Sequence, residues 1–390
     1  MNLKRIIIAT ILLLRIMQGW AFEYTYEGQT LEYDIIGKEE VSVKAVNNSL
    51  EGDLQIPSKV EYKNKKYKVT YIERGAFAEC ESLKGVVTPN SVITIGDGAF
   101  YGCKSLQRLV ISESVVDIYE ESFVECYNLS KIEVLRGNKH FVSKDDVLFN
   151  KSCDTLILAS SAKTAYSIPK TVKHVARVAF VNCKKLQSVD IPNSVKSFGI
   201  HSFHKCEKLK SVVIPSSVEL VWTTTFSGCL SLEKIEVSPN NKHYSSKDGV
   251  LFNKSGDTLL TFPGKIETYT IPNSVKVIEC RAFVNCDNLQ SVIIPNSVTT
   301  IKSGAFFWCT NLKDVVVPSS VTNIESQAFF GCEKLQAITI EAETPPVLEE
   351  NYFKVFDKTI LQTIYVPAAS VEKYKAEGWN IYADKIQPIK

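Results

Sequence analysis

The cysteines of this chain are spaced by a rule. Cys80, Cys103 and Cys126 lie 23 residues apart, as do Cys183, Cys206 and Cys229, and again Cys286, Cys309 and Cys332. A step of 57 residues separates each triplet from the next, so the pattern recurs every 103 residues. Self-similarity at a period of roughly 20–50 residues marks a solenoid or an array. Aligning on the cysteines exposes the rest of the unit. Phe stands three residues before each cysteine, from Phe77 to Phe329, and Leu three after, from Leu83 to Leu335. Val stands eleven before, from Val69 to Val321, and positions six and eight after are aliphatic except at Thr88 in the first unit.

One such unit cannot bury its own apolar side. Stacking units about 4.8 Å apart turns each position into a ladder of identical side chains inside a tube. The Leu-x-x-Val-x-Val segment alternates, which predicts a short strand, and successive strands form a parallel sheet. Pro ends the strand and Ser-Val opens the return path. Ala-Phe-x-x-Cys is too short for a full helix, so a helical turn is expected on the opposite side. The fold class is therefore an α/β-type repeat solenoid. It is a leucine-rich-repeat-like right-handed coil with one long parallel sheet face, two hairpin inserts and terminal caps.

The inserts are themselves repeats. Asn138-Lys139-His140-Phe141 through Ser152 returns 103 residues later as Asn241-Lys242-His243-Tyr244 through Ser255. Val-Leu-Phe-Asn-Lys-Ser reads as a hairpin with a polar turn, and each insert, about 138–168 and 241–271, is expected to add a wider coil without breaking the sheet. Leu54, Ile56 and Pro57 before the first unit and Leu361, Ile364, Val366 and Pro367 after the last repeat the strand-Pro signal. Thirteen strands are expected, a sheet roughly 60 Å long. The boundaries that follow are a leader over 1–21, an N-terminal cap over 22–53, the solenoid over 54–341, and a closing coil with a cap helix over 342–390. Val371, Tyr374 and Trp379 stand at the spacing of that helix.

The unit Ile-Pro-Asn-Ser-Val-x-x-Ile-x-x-x-Ala-Phe-x-x-Cys-x-x-Leu resembles the BspA-like leucine-rich repeats of bacterial surface proteins. The closing Tyr-Val-Pro-Ala-Ala-Ser-Val-Glu-Lys-Tyr-Lys segment is similar to that group's last segment, and the resemblance covers nearly the whole chain after residue 21. It implies a secreted or cell-surface adhesin that binds host matrix proteins or other cells. It singles out no particular ligand, because the matching residues are the buried ones.

At the N-terminus, Lys4 and Arg5 precede the apolar run Ile6 to Leu14, and Gly19 and Ala21 bracket Trp20 as small residues at a cleavage site. This reads as a signal peptide. Arg15 interrupts the run, so a membrane-spanning helix is not expected; no lipid-anchor cysteine follows, and Ile381 to Lys390 carries no apolar tail. The mature chain is expected to be exported, secreted or surface-associated, without a membrane span. Lys plus Arg number 45 against 43 Asp plus Glu, a formal charge of +2, and nucleic-acid binding needs a positive surplus.

Chemistry finds little material here. The ladder cysteines could be disulfides or metal ligands, but parallel ladder side chains hold their Cβ atoms too far apart for a disulfide. No Cys-x-x-Cys occurs, so buried reduced thiols are expected, with Cys153, in a hairpin turn, the most exposed. Cys280 lies outside the ladder. His201 and His204 flank Cys206 as a metal or nucleophile pair, or simply as exposed coil positions. Asp145-Asp146 and Asp248-Gly249 suggest calcium or, better, turn chemistry. Asn150-Lys151-Ser152 is a glycosylation sequon. No nucleophile elbow, phosphate loop or carboxylate pair stands outside the repeat grid. No enzyme activity and no cofactor or metal are expected.

Binding surface is the remaining candidate. Position seven after the cysteine points outward from the sheet and carries Val87, Val110, Val213, Ile293 and Val316, with Arg108, Lys131 and Lys234 beside them. Exposed apolar patches mark interaction sites, although β-branched residues also simply favour strands. A second patch is Phe307, Trp308 and Phe330, which coil register places together; packing under the C-terminal cap is its other explanation. The reading is a non-catalytic exported protein, monomeric, that recognises an extracellular protein or glycoprotein as an adhesin. The alternatives are a structural or assembly component of the cell surface and a carbohydrate-binding accessory protein, which needs exposed aromatic platforms and has only the Trp308 region for one.

Overall fold

The nine residues that precede the ladder cysteines share one backbone conformation. Glu79, Gly102, Glu125, Asn182, Lys205, Gly228, Asn285, Trp308 and Gly331 are all left-handed, with φ between 55° and 73°. A left-handed residue terminates helical winding. The Ala-Phe-x-x-Cys segment is therefore a run of separate tight turns, closed for example by Cys80 N to Phe77 O (3.3 Å) and Leu83 N to Cys80 O (3.1 Å). The expected helical turn is replaced by these turns.

The computed structural model describes residues 21–349, 354–376 and 378–390. The leader expected over 1–21 lies, apart from Ala21, outside the described residues. The chain divides into two units between Lys151 and Ser152, each a β-solenoid with parallel sheets. Most coils carry, besides the main strand, a short strand ahead of the turns that the repeat pattern does not reveal, such as Thr94–Ile95, Ser197–Phe198 and Thr300–Ile301; in the Cys229 coil it is reduced to a single bridge at Leu220. The second residue of each of these three is buried, so these short strands add a further interior ladder.

In the first unit the main strands Gly52–Leu54, Leu83–Val87, Arg108–Ile111 and Lys131–Val134 form a four-stranded parallel sheet. Ala21–Tyr26, Gln29–Ile35 and Glu40–Ala45 run antiparallel before it, and Glu40–Ala45 then pairs in parallel with Lys65–Ile72. Leu31, Tyr33, Val41 and Val43 are buried there.

In the second unit Ala165–Ser167, Ser188–Asp190, Ser211–Ile214 and Lys234–Val237 form one sheet. Thr268–Thr270, Ser291–Ile293, Asp314–Val317, Ala337–Ile340, Thr363–Val366 and Ile386–Pro388 form another. The strands therefore belong to three sheets of four, four and six, where one sheet of thirteen was expected. The hairpin Tyr244–Lys247/Val250–Asn253 explains the break. Ile235 N donates to Gly249 O (2.7 Å) and Val237 N to Ser246 Oγ (2.9 Å), so the outer edge of Lys234–Val237 is already occupied. The first unit's hairpin, Phe141–Lys144/Val147–Asn150, does the same through Ser143 Oγ and Val134 N (2.9 Å).

A buried asparagine anchors each insert. Asn241 Nδ2 donates to Pro215 O (2.8 Å) and Val218 O (3.0 Å), while its Oδ1 accepts from His243 N (2.8 Å) and Tyr244 N (2.9 Å). Asn138 makes the same four bonds with Ser112, Val115, His140 and Phe141. All four polar positions of a buried amide are thus answered.

Aromatic rings and thiols fill the coils. Phe77, Phe100 and Phe123 stack at 5.4 Å, and Phe180–Phe203 at 4.7 Å. The stack also takes in Phe262, against Phe283, and Phe356, against Phe329, neither of which belongs to a cysteine unit. At the C-terminus Val371–Ala376 is a short helix, flanked by 3-10 turns Ala368–Ser370 and Asn380–Lys385. Tyr374 Oη donates to Ala342 O and Trp379 Nε1 to Pro346 O, both at 2.8 Å, which satisfies both polar tips inside the core. Ile386–Pro388 adds one strand more than expected, and its proline has no N–H to offer at that edge.

Candidate functional site

The strand register decides which side chains leave the coil. In Ser211–Ile214, Val212 and Ile214 are buried while Val213 is 50% exposed. Ile293 and Val316 are paired in register on neighbouring strands and are 61% and 47% exposed. Val87 is also exposed. Val110 departs from expectation: it occupies the same column but is only 6% exposed. Its register neighbours are Val87 and Glu133, yet Val213, which also pairs with a glutamate, Glu236, stays open.

The cations beside the stripe are held by ion pairs: Arg108 to Asp53 at 3.0 Å, Lys131 to Asp146 at 3.1 Å and Lys234 to Glu236 at 2.7 Å. Such exposed pairs add little stability, but they neutralise much of the face in the first unit and on the four-stranded sheet of the second. The strands of the six-stranded sheet differ. Thr268, Thr270, Ser291, Ile293, Asp314, Val316, Ala337 and Thr339 face outward, and Asp314 is the one charge among them.

The aromatic patch is assembled as expected, but more deeply. Phe307 and Phe330 stack at 5.1 Å, yet Phe330 is only 7% exposed, and Phe307 and Trp308 are half-buried. The most open tryptophan among the described residues is Trp222, which had not been singled out; it and Leu220 are both 44% exposed. Trp222 stands seven before Cys229, where other units place Glu73, Gly96, Tyr119, Ala176, Gly199, Glu279, Lys302 and Glu325. That column is mixed, with Gly96 buried and Tyr119 exposed, so the repeat alone does not mark Trp222 as open.

Burial governs the cysteines and the His201–His204 pair. All eleven cysteines are free, nine of them buried, with Cys153 and Cys280 half-buried. Burial pushes the Cys103, Cys183 and Cys332 thiols up to about 12, the opposite of what a nucleophile needs. His201 and His204 are half-buried, not exposed, with ring centres 5.1 Å apart. His204 Nδ1 lies 2.6 Å from Ser227 Oγ. Burial first, then His201 and Lys205, lower His204 to about 4. No group of three or more metal-ligating side chains occurs among the described residues. Asp145, Asp146 and Asp248 are left-handed turn residues, in keeping with a turn role.

The family described as the BspA type leucine rich repeat region matches in six copies, over residues 57–167, 157–257 and 256–377. No curated protein matches the chain significantly. A leucine rich cell surface protein from Faecalibacterium prausnitzii is 24% identical, with a TM-score of 0.50 over 93% of this chain and 98% of its own. A leucine-rich repeat protein from Eubacterium ventriosum is 22% identical, with a TM-score of 0.46 over 80% and 95%. The pneumococcal vaccine antigen PcpA is 17% identical, with a TM-score of 0.43 over 95% and 99%. No helix among the described residues is long and apolar enough to cross a membrane.

Proposed function

The chain belongs to the BspA-type leucine-rich repeat family, and from that premise we propose that it is a non-catalytic recognition protein. It meets a protein partner on the outward faces of its main sheets. The observation that carries this reading is the exposed in-register pair Ile293 and Val316, on strands whose outward positions from Thr268 to Thr339 include a single charge. Open apolar area of this kind, rimmed by polar side chains, is what a partner's core contacts bury. Val87 and Val213 are secondary contacts, and Val110, being covered, is not one. In this reading the apolar run after Lys4 and Arg5 directs export, and the protein works at or beyond the cell surface as an adhesin for host matrix or other cells.

A binding screen of the purified chain, lacking residues 1–21, against matrix proteins tests the proposal. For any ligand found, Ile293→Asp combined with Val316→Asp should leave the circular dichroism unchanged and weaken binding at least about tenfold. Undiminished affinity in that variant would remove the six-stranded sheet from the interface. Absence of any ligand, together with self-assembly of the purified chain, would favour a structural component of the surface.

A further inference from the structure

Trp308 occupies a position where a large side chain is an unusual choice. The residue before each ladder cysteine is left-handed, and glycine or asparagine fills five of the nine such positions. Here φ is 55° on a tryptophan. Room for it comes from the next coil: a Cβ placed on Gly331 would stand 2.7 Å from the indole. The ring lies over that bare backbone and reaches Lys358, whose Nζ is 5.5 Å from its centroid. Lys358 is itself left-handed, with φ 56°.

A second row runs alongside. The Arg281 guanidinium lies 5.4 Å from the Phe307 ring, Phe307 stacks on Phe330 at 5.1 Å and 10°, and Lys358 Nζ is 5.7 Å from Phe330. The order is cation, ring, ring, cation. Trp308 stands edge-on to both rings, at 83° and 74°.

Four lysines of the repeats, in Lys104–Glu81, Lys184–Glu207, Lys196–Glu219 and Lys302–Glu279, meet a carboxylate one coil away. Arg281 and Lys358 make no ion pair among the described residues. Their contacts are to ring faces, which are weak at an exposed site and readily exchanged.

We propose that Trp308, Phe307, Arg281 and Lys358 bind a sugar that carries a carboxylate, a uronic or sialic acid residue of a glycan. The negative face of an aromatic ring attracts the polarised C–H groups of a pyranose, and the two cations supply the charge that a carboxylate answers. A neutral sugar would leave that charge unanswered. The site lies on the turn side of the coils and shares no residue with the strand face, so it stands or falls separately from the protein-recognition reading.

Calorimetric titration with tetragalacturonate, 3′-sialyllactose and neutral maltotetraose is the test. At least one acidic sugar should bind with Kd in the millimolar range or tighter, roughly −4 kcal/mol or better, and more weakly as salt rises; maltotetraose should not bind. Which acidic sugar binds names the source of the carboxylate. Trp308→Ala should cost at least about tenfold, and Arg281→Gln and Lys358→Gln at least about threefold each. The two glutamine variants, on partly or fully exposed side chains, decide the matter if the tryptophan variant does not fold. Binding of neither acidic sugar, equal binding of maltotetraose, or full affinity in both glutamine variants would overturn the proposal.

Discussion

Cys206 Sγ donates a hydrogen bond to the carbonyl oxygen of Phe180, 3.1 Å away and one coil back. The same oxygen accepts Cys183 N, so one carbonyl closes its own turn and ties down the next. Cys103, Cys126, Cys229, Cys309 and Cys332 repeat the contact at 3.0–3.2 Å. The ladder thiols are donors as well as small apolar fillers. Cys206→Ala should therefore cost about 1–2 kcal/mol in the urea unfolding free energy, more than its small volume change alone predicts.

The same burial keeps the thiols unreactive. A thiol reagent should find no more than about two groups in the native protein, Cys153 and Cys280, and all eleven after denaturation. Four or more disulfides by intact mass would contradict this.

Coil register has its own test. Phe203 is fully buried between Phe180 and Phe226, so Phe203→Ala should cost about 3–5 kcal/mol. Lys210 is exposed on the outer face, and Lys210→Ala should cost under about 0.5 kcal/mol.

His204 makes stability depend on pH. Its folded value near 4 lies below the ordinary value of 6.5, so the folded state favours the neutral ring. Above about pH 6.5 both states are neutral and nothing is lost. As pH falls from about 6.5 towards about 4, the unfolded chain takes up the proton first and stability declines, by up to about 2–3 kcal/mol. Denaturation midpoints should fall over that interval, and His204→Gln should flatten this component of the slope.

The interior was open to sequence reading because each buried position repeats. A phenylalanine, cysteine, leucine or valine that recurs nine times at fixed spacing has one plausible place, against its own kind in the next coil. What escaped depends on single neighbours. The break in the sheets rests on Gly249 O and Ser246 Oγ capturing the edge of Lys234–Val237, which no period reveals. Val110 shares its column with Val213, and each has a glutamate as register neighbour, Glu133 and Glu236, so nothing in the repeat foretells that only Val110 is covered. Trp222 stands in a column that holds buried Gly96 and exposed Tyr119 alike, so its period does not mark it as open.

The asparagine-anchored inserts have a consequence for folding. Every cysteine unit offers its neighbours the same phenylalanine, thiol and leucine, so a slip of 23 residues would still place like on like and lose little interior energy. Register in such a chain is poorly defended by its core. Asn138 and Asn241 bind the carbonyls of Ser112 and Val115 or Pro215 and Val218, and in the chain each hairpin follows the third unit of a triplet. They act as punctuation in a monotonous text, limiting how far a mistaken alignment can propagate before it meets a mark that does not fit.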